Sequence, residues 1–99
     1  MQPDYKLDLV CPAGSLPALK AAVDNGADCV YMGFRDDTNA RNFTGLNFDK
    51  ASAQAGVVYA HGKGAQVLLA LNTYPHSQGW ARWQKAIDQA AEIGIDAII

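Results

Sequence analysis

Residues 7–33 read LDLVCPAGSLPALKAAVDNGADCVYMG, and this stretch decides the fold. The short apolar run 7–11 ends at a Pro-Ala-Gly turn, after which Ser15 can cap a helix. Apolar residues then recur at three- and four-residue spacing until Gly26, a typical helix stop. A second apolar run, 29–32, begins almost at once. The order strand, helix, strand predicts a parallel βαβ unit.

The same alternation continues along the rest of the chain. Asp49 can cap a second helix that runs to about His61. The segment 66–71 is almost entirely apolar, as a strand buried on both faces would be. Apolar residues at helical spacing predict a third helix over 80–94, and 96–99 begins a fourth strand. The predicted order is therefore βαβαβαβ.

This order fits two parallel folds, a (βα)₈ barrel and a doubly wound open sheet. The turn after the first strand lacks the Gly-x-Gly-x-x-Gly of dinucleotide-binding sheets, which favours the barrel. Junctions 21–30 and 90–98 also resemble each other, as stacked βα units require. Because a barrel needs about 250 residues, we interpret 1–99 as the N-terminal half of one TIM-like barrel domain.

A half barrel is expected to associate with another chain or segment, because part of its sheet has no partner. The first and fourth strands would each have an unpaired edge. We expect the inner face to expose apolar side chains to water, so that the chain either pairs with a second copy or is covered by the rest of a longer protein. The side chains expected to be exposed are Val30, Val67, Leu69 and Ile98.

Composition excludes several classes of function. The 99 residues are 49% hydrophobic and 18% charged, with a net charge of −2 and no run of Lys or Arg that would follow a phosphate backbone. No apolar stretch approaches the roughly 18 residues of a membrane helix, and the first ten residues lack the apolar core of a signal peptide. We expect a cytoplasmic protein that does not bind nucleic acid by charge and does not span a membrane.

Candidate binding residues follow the predicted strands, where a parallel barrel places its chemistry. The stretch after the second strand, 34–47, is longer than the roughly two to six residues usual for such a loop and is rich in polar groups. Asn72 directly follows the third strand and is predicted to point to the barrel mouth. His76, Trp80 and Trp83 are interpreted as a solvated loop residue and two packing residues. The predicted substrate-binding residues are Asp37, Asn39, Arg41, Asn47 and Asn72.

Local motifs do not identify a reaction. Neither Gly-x-Ser-x-Gly nor a spaced Ser-His-Asp set is present, so catalytic residues stay unknown. Cys11 and Cys29 are too few and too far apart for a zinc or iron–sulfur site. We therefore predict no cofactor or metal within this chain and interpret both cysteines as small buried residues.

Residues 11–33 resemble the opening of the collagenase-like peptidase family, in which a Pro-Ala-Gly turn precedes a Gly-Ala-Asp-x-Val-Tyr strand. The strings 36–41 and 43–48 are similar to the UbiU-like branch, which acts in oxygen-independent ubiquinone biosynthesis. Segments 71–73 and 80–84 fit the same branch.

This resemblance implies a component of an enzyme that hydroxylates the aromatic ring of a quinone precursor without oxygen. It also implies a cysteine-ligated [4Fe–4S] cluster in the full-length protein, held by residues beyond this stretch, and a UbiV-like sister protein as partner. The 99 residues alone would be inactive. Two alternatives stay open: a peptidase, as the family name suggests, and a barrel fragment with only a structural or binding role.

Overall fold

The computed structural model describes residues 7–34, 48–71 and 80–99. Strands and helices alternate along these ranges, as the sequence predicts. The elements are β1 (Val10–Pro12), α1 (Leu16–Asp24), β2 (Cys29–Met32), α2 (Lys50–Gly62), β3 (Gln66–Leu69), α3 (Trp80–Ile93) and β4 (Ala97–Ile98).

Both predicted helix caps are present. The Ser15 hydroxyl oxygen accepts a hydrogen bond from the backbone N–H of Ala18 at 3.3 Å. At the start of α2, the Asp49 carboxylate accepts from the N–H of Ser52 at 2.8 Å, and the Ser52 hydroxyl accepts from the N–H of Asp49 at 3.1 Å. These contacts satisfy backbone donors that have no partner within the first helical turn.

The four strands form one parallel sheet in the order β1-β2-β3-β4. This confirms the predicted pairing of sequence neighbours. A doubly wound sheet of the dinucleotide-binding type would place the fourth strand beside the first, whereas here β4 pairs with β3. The sheet therefore grows in one direction only, which is the arrangement of a barrel segment.

The edge strands are shorter than predicted. The run 7–11 forms a strand only from Val10, and the Leu9 carbonyl oxygen just before it accepts from the N–H groups of both Asp28 and Cys29. The proline at the end of β1 is tolerated because it lies at an edge of the sheet. At the other edge, β4 has two residues of the predicted four.

The core lies between the sheet and its helices. Three residues that were expected to be exposed belong to it. Val30, Val67 and Leu69 were expected to face water, but each has 0% exposure and packs in the same cluster as residues of α1 and α2. The expectation was wrong because these side chains lie on the helix-covered face. Ile98, at the edge strand, is 41% exposed as expected.

The opposite face of the sheet is not covered within the described residues. Strand alternation places Pro12, Tyr31, Leu68 and Ala97 together on that face, in one row of register partners. Tyr31 and Leu68 are only partly buried, and the two edge residues are exposed. The uncovered row thus lies on the face opposite to the residues named in the prediction.

Gly56 explains how α1 and α2 pack closely. A Cβ atom at this position would lie 2.9 Å from Leu19 Cδ1, a side chain with no exposure, and 3.6 Å from both Leu16 Cδ1 and Met32 Cε. Glycine therefore lets the two helices approach over the sheet. In the sequence the same glycine weakens the helix pattern, but its role is in packing.

All three helix-to-strand junctions use one turn. In each, a glycine with positive φ follows the helix, and the next residue donates its N–H to the carbonyl five residues earlier at 2.9–3.0 Å. This is the hydrogen bond of a Schellman motif. Two junctions were recognised in the sequence as a repeat, and the structure adds a third. The glycines are Gly26, Gly64 and Gly94.

Candidate functional site at the carboxyl edge of the sheet

The carboxyl ends of all four strands lie at one edge of the sheet, called here the carboxyl edge. Ala13 follows β1 and donates its N–H to the Tyr31 carbonyl at 3.0 Å. Leu71 follows β3 and donates to the Ile99 carbonyl at 2.9 Å, while Ile99 donates to Leu69 at the same distance. The edge is therefore hydrogen-bonded beyond the strands themselves, which gives a rigid base for the loops of a barrel mouth.

Two buried phenylalanines flank segment 35–47 at this edge. Phe34 and Phe48 form an isolated parallel bridge, and the N–H of Phe48 donates to the Gly33 carbonyl at 3.1 Å. Their exposures are 3% and 0%. We call this contact the Phe34–Phe48 bridge. It fixes both ends of segment 35–47 at the carboxyl edge, directly after β2.

The predicted binding residues connect to this edge but lie outside the described residues. Asp37, Asn39, Arg41 and Asn47 belong to segment 35–47, between the two halves of the Phe34–Phe48 bridge. Asn72 also lies outside the described residues and follows Leu71, which is 7% exposed. Their assignment as binding residues stays a prediction. His76, interpreted as a loop residue, falls in the same undescribed range as Asn72.

The two tryptophans of α3 differ in their surroundings. Trp83 is partly buried against the core, which confirms its packing role. Trp80 is 56% exposed, so the same interpretation was wrong for it. Both side chains follow a helical spacing, but Trp80 is the first residue of α3. Spacing alone could not separate the two, because it ignores the position of the helix end relative to the sheet.

The amino edge of the sheet holds a second polar set that sequence reasoning missed. The Asp28 carboxylate accepts from the N–H of Leu9 at 2.8 Å. The Asp96 carboxylate accepts from the N–H of Val67 at 2.7 Å and contacts His61 Nε2 at 2.8 Å. The repeated Gly-x-Asp of the junctions was the available signal. These carboxylates tie each turn to the preceding strand, and this edge of a barrel serves stability.

Electrostatics at the amino edge agree with this structural role. Burial alone would raise the pKa of Asp96, but the hydrogen bonds from His61 and from the Val67 N–H, with the electrostatic attraction of His61, outweigh it and lower the pKa below its usual value. Asp96 is therefore held as a carboxylate. Such a group suits a fixed structural acceptor more than a proton donor in catalysis.

The two cysteines do not suit a metal cluster. Cys11 pairs in register with Val30, and Cys29 pairs with Val10, so strand alternation directs the two thiols to opposite faces of the sheet. Burial, with the nearby carboxylates of Asp96 and Asp8, raises the pKa of the Cys29 thiol and disfavours the thiolate that binds metal. Both are free thiols. Within the three described ranges, no group of three or more His, Cys, Asp or Glu could hold a metal ion.

None of the helices in the described part of the chain is long and apolar enough to cross a bilayer.

The chain is similar in sequence to one family model and to several known proteins. The sequence model of peptidase family U32 matches residues 14–99. An uncharacterized protease of Methanocaldococcus jannaschii is 33% identical over 96 residues, covering 94% of this chain and 22% of the relative. The tRNA hydroxylation protein P of Helicobacter pylori strain 26695 is 34% identical over 94 residues, covering 95% and 22%. The chain thus spans about a fifth of the length of these curated relatives.

A solved structure supports the fold. The U32 peptidase Mk0906 superposes with a TM-score of 0.67 over 98% of this chain and 43% of that chain, at 12% sequence identity. At this identity the likeness concerns the fold alone.

Proposed function

Because the chain belongs to peptidase family U32, we propose that it is the first part of the barrel of a protein that takes part in hydroxylating an aromatic ring. The observation that supports this most directly is the 34% identity, over 95% of the chain, to a protein named for tRNA hydroxylation. The carboxyl edge, with the Phe34–Phe48 bridge, is where this part of the chain would contact substrate.

The contribution of this chain would be to bind and orient the substrate. Amide groups of Asn39, Asn47 and Asn72 and the guanidinium of Arg41 can donate hydrogen bonds to phenolic or carbonyl oxygens of a ring. Asp37 can accept from a ring hydroxyl or amino group. The Phe34–Phe48 bridge fixes the two residues that flank segment 35–47, which contains four of these five residues. A fixed base limits the freedom that binding must remove.

Redox chemistry would come from elsewhere in the full-length protein. The thiols of Cys11 and Cys29 lie on opposite faces of the sheet, so this chain does not supply a cluster site. The [4Fe–4S] cluster implied by the resemblance is therefore proposed for the full-length protein alone, with ligands outside these 99 residues.

For the substrate we propose a quinone precursor, as in the UbiU-like branch, with a UbiV-like sister protein as partner in the cytoplasm. The net charge of −2, without a basic run, favours a small aromatic molecule over an RNA backbone. The name of the Helicobacter relative favours RNA instead. A peptidase is a third candidate, since the Methanocaldococcus relative is named as a protease.

One experiment separates these candidates. The full-length gene is deleted, and cells grown without oxygen are analysed by mass spectrometry for quinone, its under-hydroxylated precursor and hydroxylated nucleosides in RNA digests. The proposal predicts that the precursor accumulates and that RNA hydroxylation is unchanged. Loss of a hydroxylated nucleoside would instead assign RNA as the substrate. Purified protein that cleaves gelatin, with both metabolite pools unchanged, would support the peptidase.

Complementation then tests the binding residues. Arg41→Ala and Asn72→Ala should each reduce product at least about 10-fold, since a hydrogen bond involving a charged group or a buried partner contributes about 1.5–3 kcal/mol. Gln54→Ala, an exposed position on α2, is the matched control and should restore product fully. If both Arg41→Ala and Asn72→Ala restore full product, these two residues do not bind the substrate.

A further inference from the structure

Tyr31 is a long polar side chain on the uncovered face of the sheet, close to the carboxyl edge. Its neighbours on β2, Val30 and Met32, are 0% and 1% exposed and pack under the helices, so strand alternation directs Tyr31 to the opposite face. Its register partner on β1 is Pro12, the last residue of that strand. The Tyr31 carbonyl oxygen accepts from the N–H of Ala13, just beyond β1, at 3.0 Å. Tyr31 is therefore level with the carboxyl end of the neighbouring strand.

The next positions toward the barrel mouth on this face carry small residues. Alternation continues past β2, because Phe34 is buried in the core on the helix side, so Gly33 follows Tyr31 on the uncovered face. On β3, Ala70 follows Leu68 on the same face, and its backbone N–H still bonds to β2 at 2.8 Å. Neither strand therefore places a large side chain between the Tyr31 ring and the mouth. Since the helices of a barrel lie outside, closure turns this face inward.

The hydroxyl of Tyr31 has no hydrogen-bond partner within residues 7–34, 48–71 and 80–99. Tyr59, the other tyrosine of these ranges, donates its O–H to the Asp24 carboxylate on α1. The side chain of Tyr31 is already partly buried, and closure of the barrel would bury it further. Because a buried tyrosine hydroxyl usually has a hydrogen-bond partner, Tyr31 requires an acceptor inside the barrel, below its mouth.

We propose that the Tyr31 hydroxyl donates a hydrogen bond to an oxygen on the aromatic ring of the substrate. The inference rests on the proposed function and adds a residue that positions the reacting ring. A phenol O–H can donate to a phenolic or carbonyl oxygen, and a strand of the sheet holds it more precisely than a loop. A site that hydrogen-bonds one oxygen discriminates against rings that lack it, so Tyr31 would contribute to substrate choice. The alternative acceptor is a side chain from another strand of the barrel, which would make the role of Tyr31 structural.

The test uses the full-length protein and two probes that differ in one oxygen. Wild type, Tyr31→Phe and the control Tyr59→Phe are compared; each variant removes one hydroxyl and keeps the ring, and Tyr59 lies on α2, outside the sheet. Isothermal titration calorimetry gives the Kd for a water-soluble prenylated phenol and for its analogue in which hydrogen replaces the ring hydroxyl. Thermal unfolding of each variant measures the effect on the fold.

Tyr31→Phe should weaken binding of the phenol by about 3- to 12-fold, as loss of one neutral hydrogen bond predicts, and leave binding of the analogue within about 2-fold. Its unfolding temperature should equal that of the wild type, and Tyr59→Phe should bind both probes as the wild type does. The inference is overturned if Tyr31→Phe binds the phenol normally, if it loses affinity for both probes equally, or if the wild type binds neither. A lower unfolding temperature with an unchanged Kd would assign the hydroxyl to another strand of the barrel.

Failure of the proposed function gives a different result. If Tyr31→Phe loses affinity for the phenol alone but the deletion strain accumulates no under-hydroxylated precursor, the Tyr31 contact stands and the hydroxylation proposal fails. If the precursor accumulates but Tyr31→Phe binds the phenol like the wild type, the hydroxylation proposal stands and the Tyr31 contact fails.

Discussion

Removing the Asp96 carboxylate should destabilise the sheet more than removing its counterpart, Asp28. In Asp96→Ala, the N–H of Val67 loses an acceptor at 2.7 Å, and Val67 is fully buried, so water does not readily replace the bond. A hydrogen bond to a charged group contributes about 1.5–3 kcal/mol. The half-exposed contact with His61 adds only about 0.2–1 kcal/mol, because solvent screens it. We expect a loss of about 2–4 kcal/mol in the free energy of unfolding.

Asp28→Ala is the matched comparison, since Asp28 occupies the same place in the repeated turn. Its partner, the N–H of Leu9, belongs to a residue that is 50% exposed, so water can take over the bond. The expected loss is about 1 kcal/mol. A second control is Asp88→Ala, where an exposed helical contact with Gln84 should cost no more than about 0.5 kcal/mol.

The free energy of unfolding of all three variants is measured by urea titration at pH 7, with circular dichroism as the signal. The dependence of this free energy on urea concentration must be the same in each variant for the comparison to hold. His61→Ala, alone and combined with Asp96→Ala, isolates the ion pair through a double-mutant cycle. If Asp96→Ala and Asp28→Ala agree within about 0.5 kcal/mol, burial of the N–H donor does not control the cost, and the reasoning fails.

Four further predictions follow from the described residues. Gly56→Val should lower the free energy of unfolding by about 1–3 kcal/mol, because the new side chain meets Leu19; an unfolding midpoint equal to wild type would show that α1 and α2 adjust freely. The pKa of Asp96 is lowered in the folded state, so the carboxylate contributes its full stabilisation above the unfolded pKa of 3.8 and loses it as the pH falls through the folded pKa. Asp96→Asn should lack this acid dependence of the free energy of unfolding, which unfolding curves at a series of pH values would measure. The isolated 99 residues should associate through the uncovered face at micromolar concentration, and Leu68→Glu should shift sedimentation toward the monomer; a stable wild-type monomer would contradict this. The same 99 residues should purify without stoichiometric iron, which metal analysis checks directly.

Much of the fold could be predicted because its signals are local. Caps at Ser15 and Asp49 depend on residues within one turn, and the strand order follows from the choice of a barrel, which rested on the turn after the first strand. The face of each strand could not be predicted in the same way. A continuous apolar run such as 67–71 has no alternation to show which side the helices cover, so Val67 and Leu69 were placed on the wrong face.

For the candidate site the sequence predicts an edge of the sheet and five residues, and that assignment stays a prediction. The rule that parallel strands present their chemistry at their carboxyl ends located the edge, and the Phe34–Phe48 bridge agrees with it. The distinct surroundings of Trp80 and the hydrogen bonds of Asp96 depend on contacts between residues far apart in sequence. Neither helical spacing nor composition contains that information.

The Phe34–Phe48 bridge also affects how the sequence of such a protein can change during evolution. Phe34 and Phe48 are buried on either side of segment 35–47, and a backbone hydrogen bond joins Phe48 to Gly33, so the closure entropy of the chain between them grows only with the logarithm of its length, about 0.6 kcal/mol for each doubling. Insertions or deletions between residues 35 and 47 would therefore cost the sheet little stability. Substrate preference could then change through this segment by small evolutionary steps, without a compensating change in the barrel.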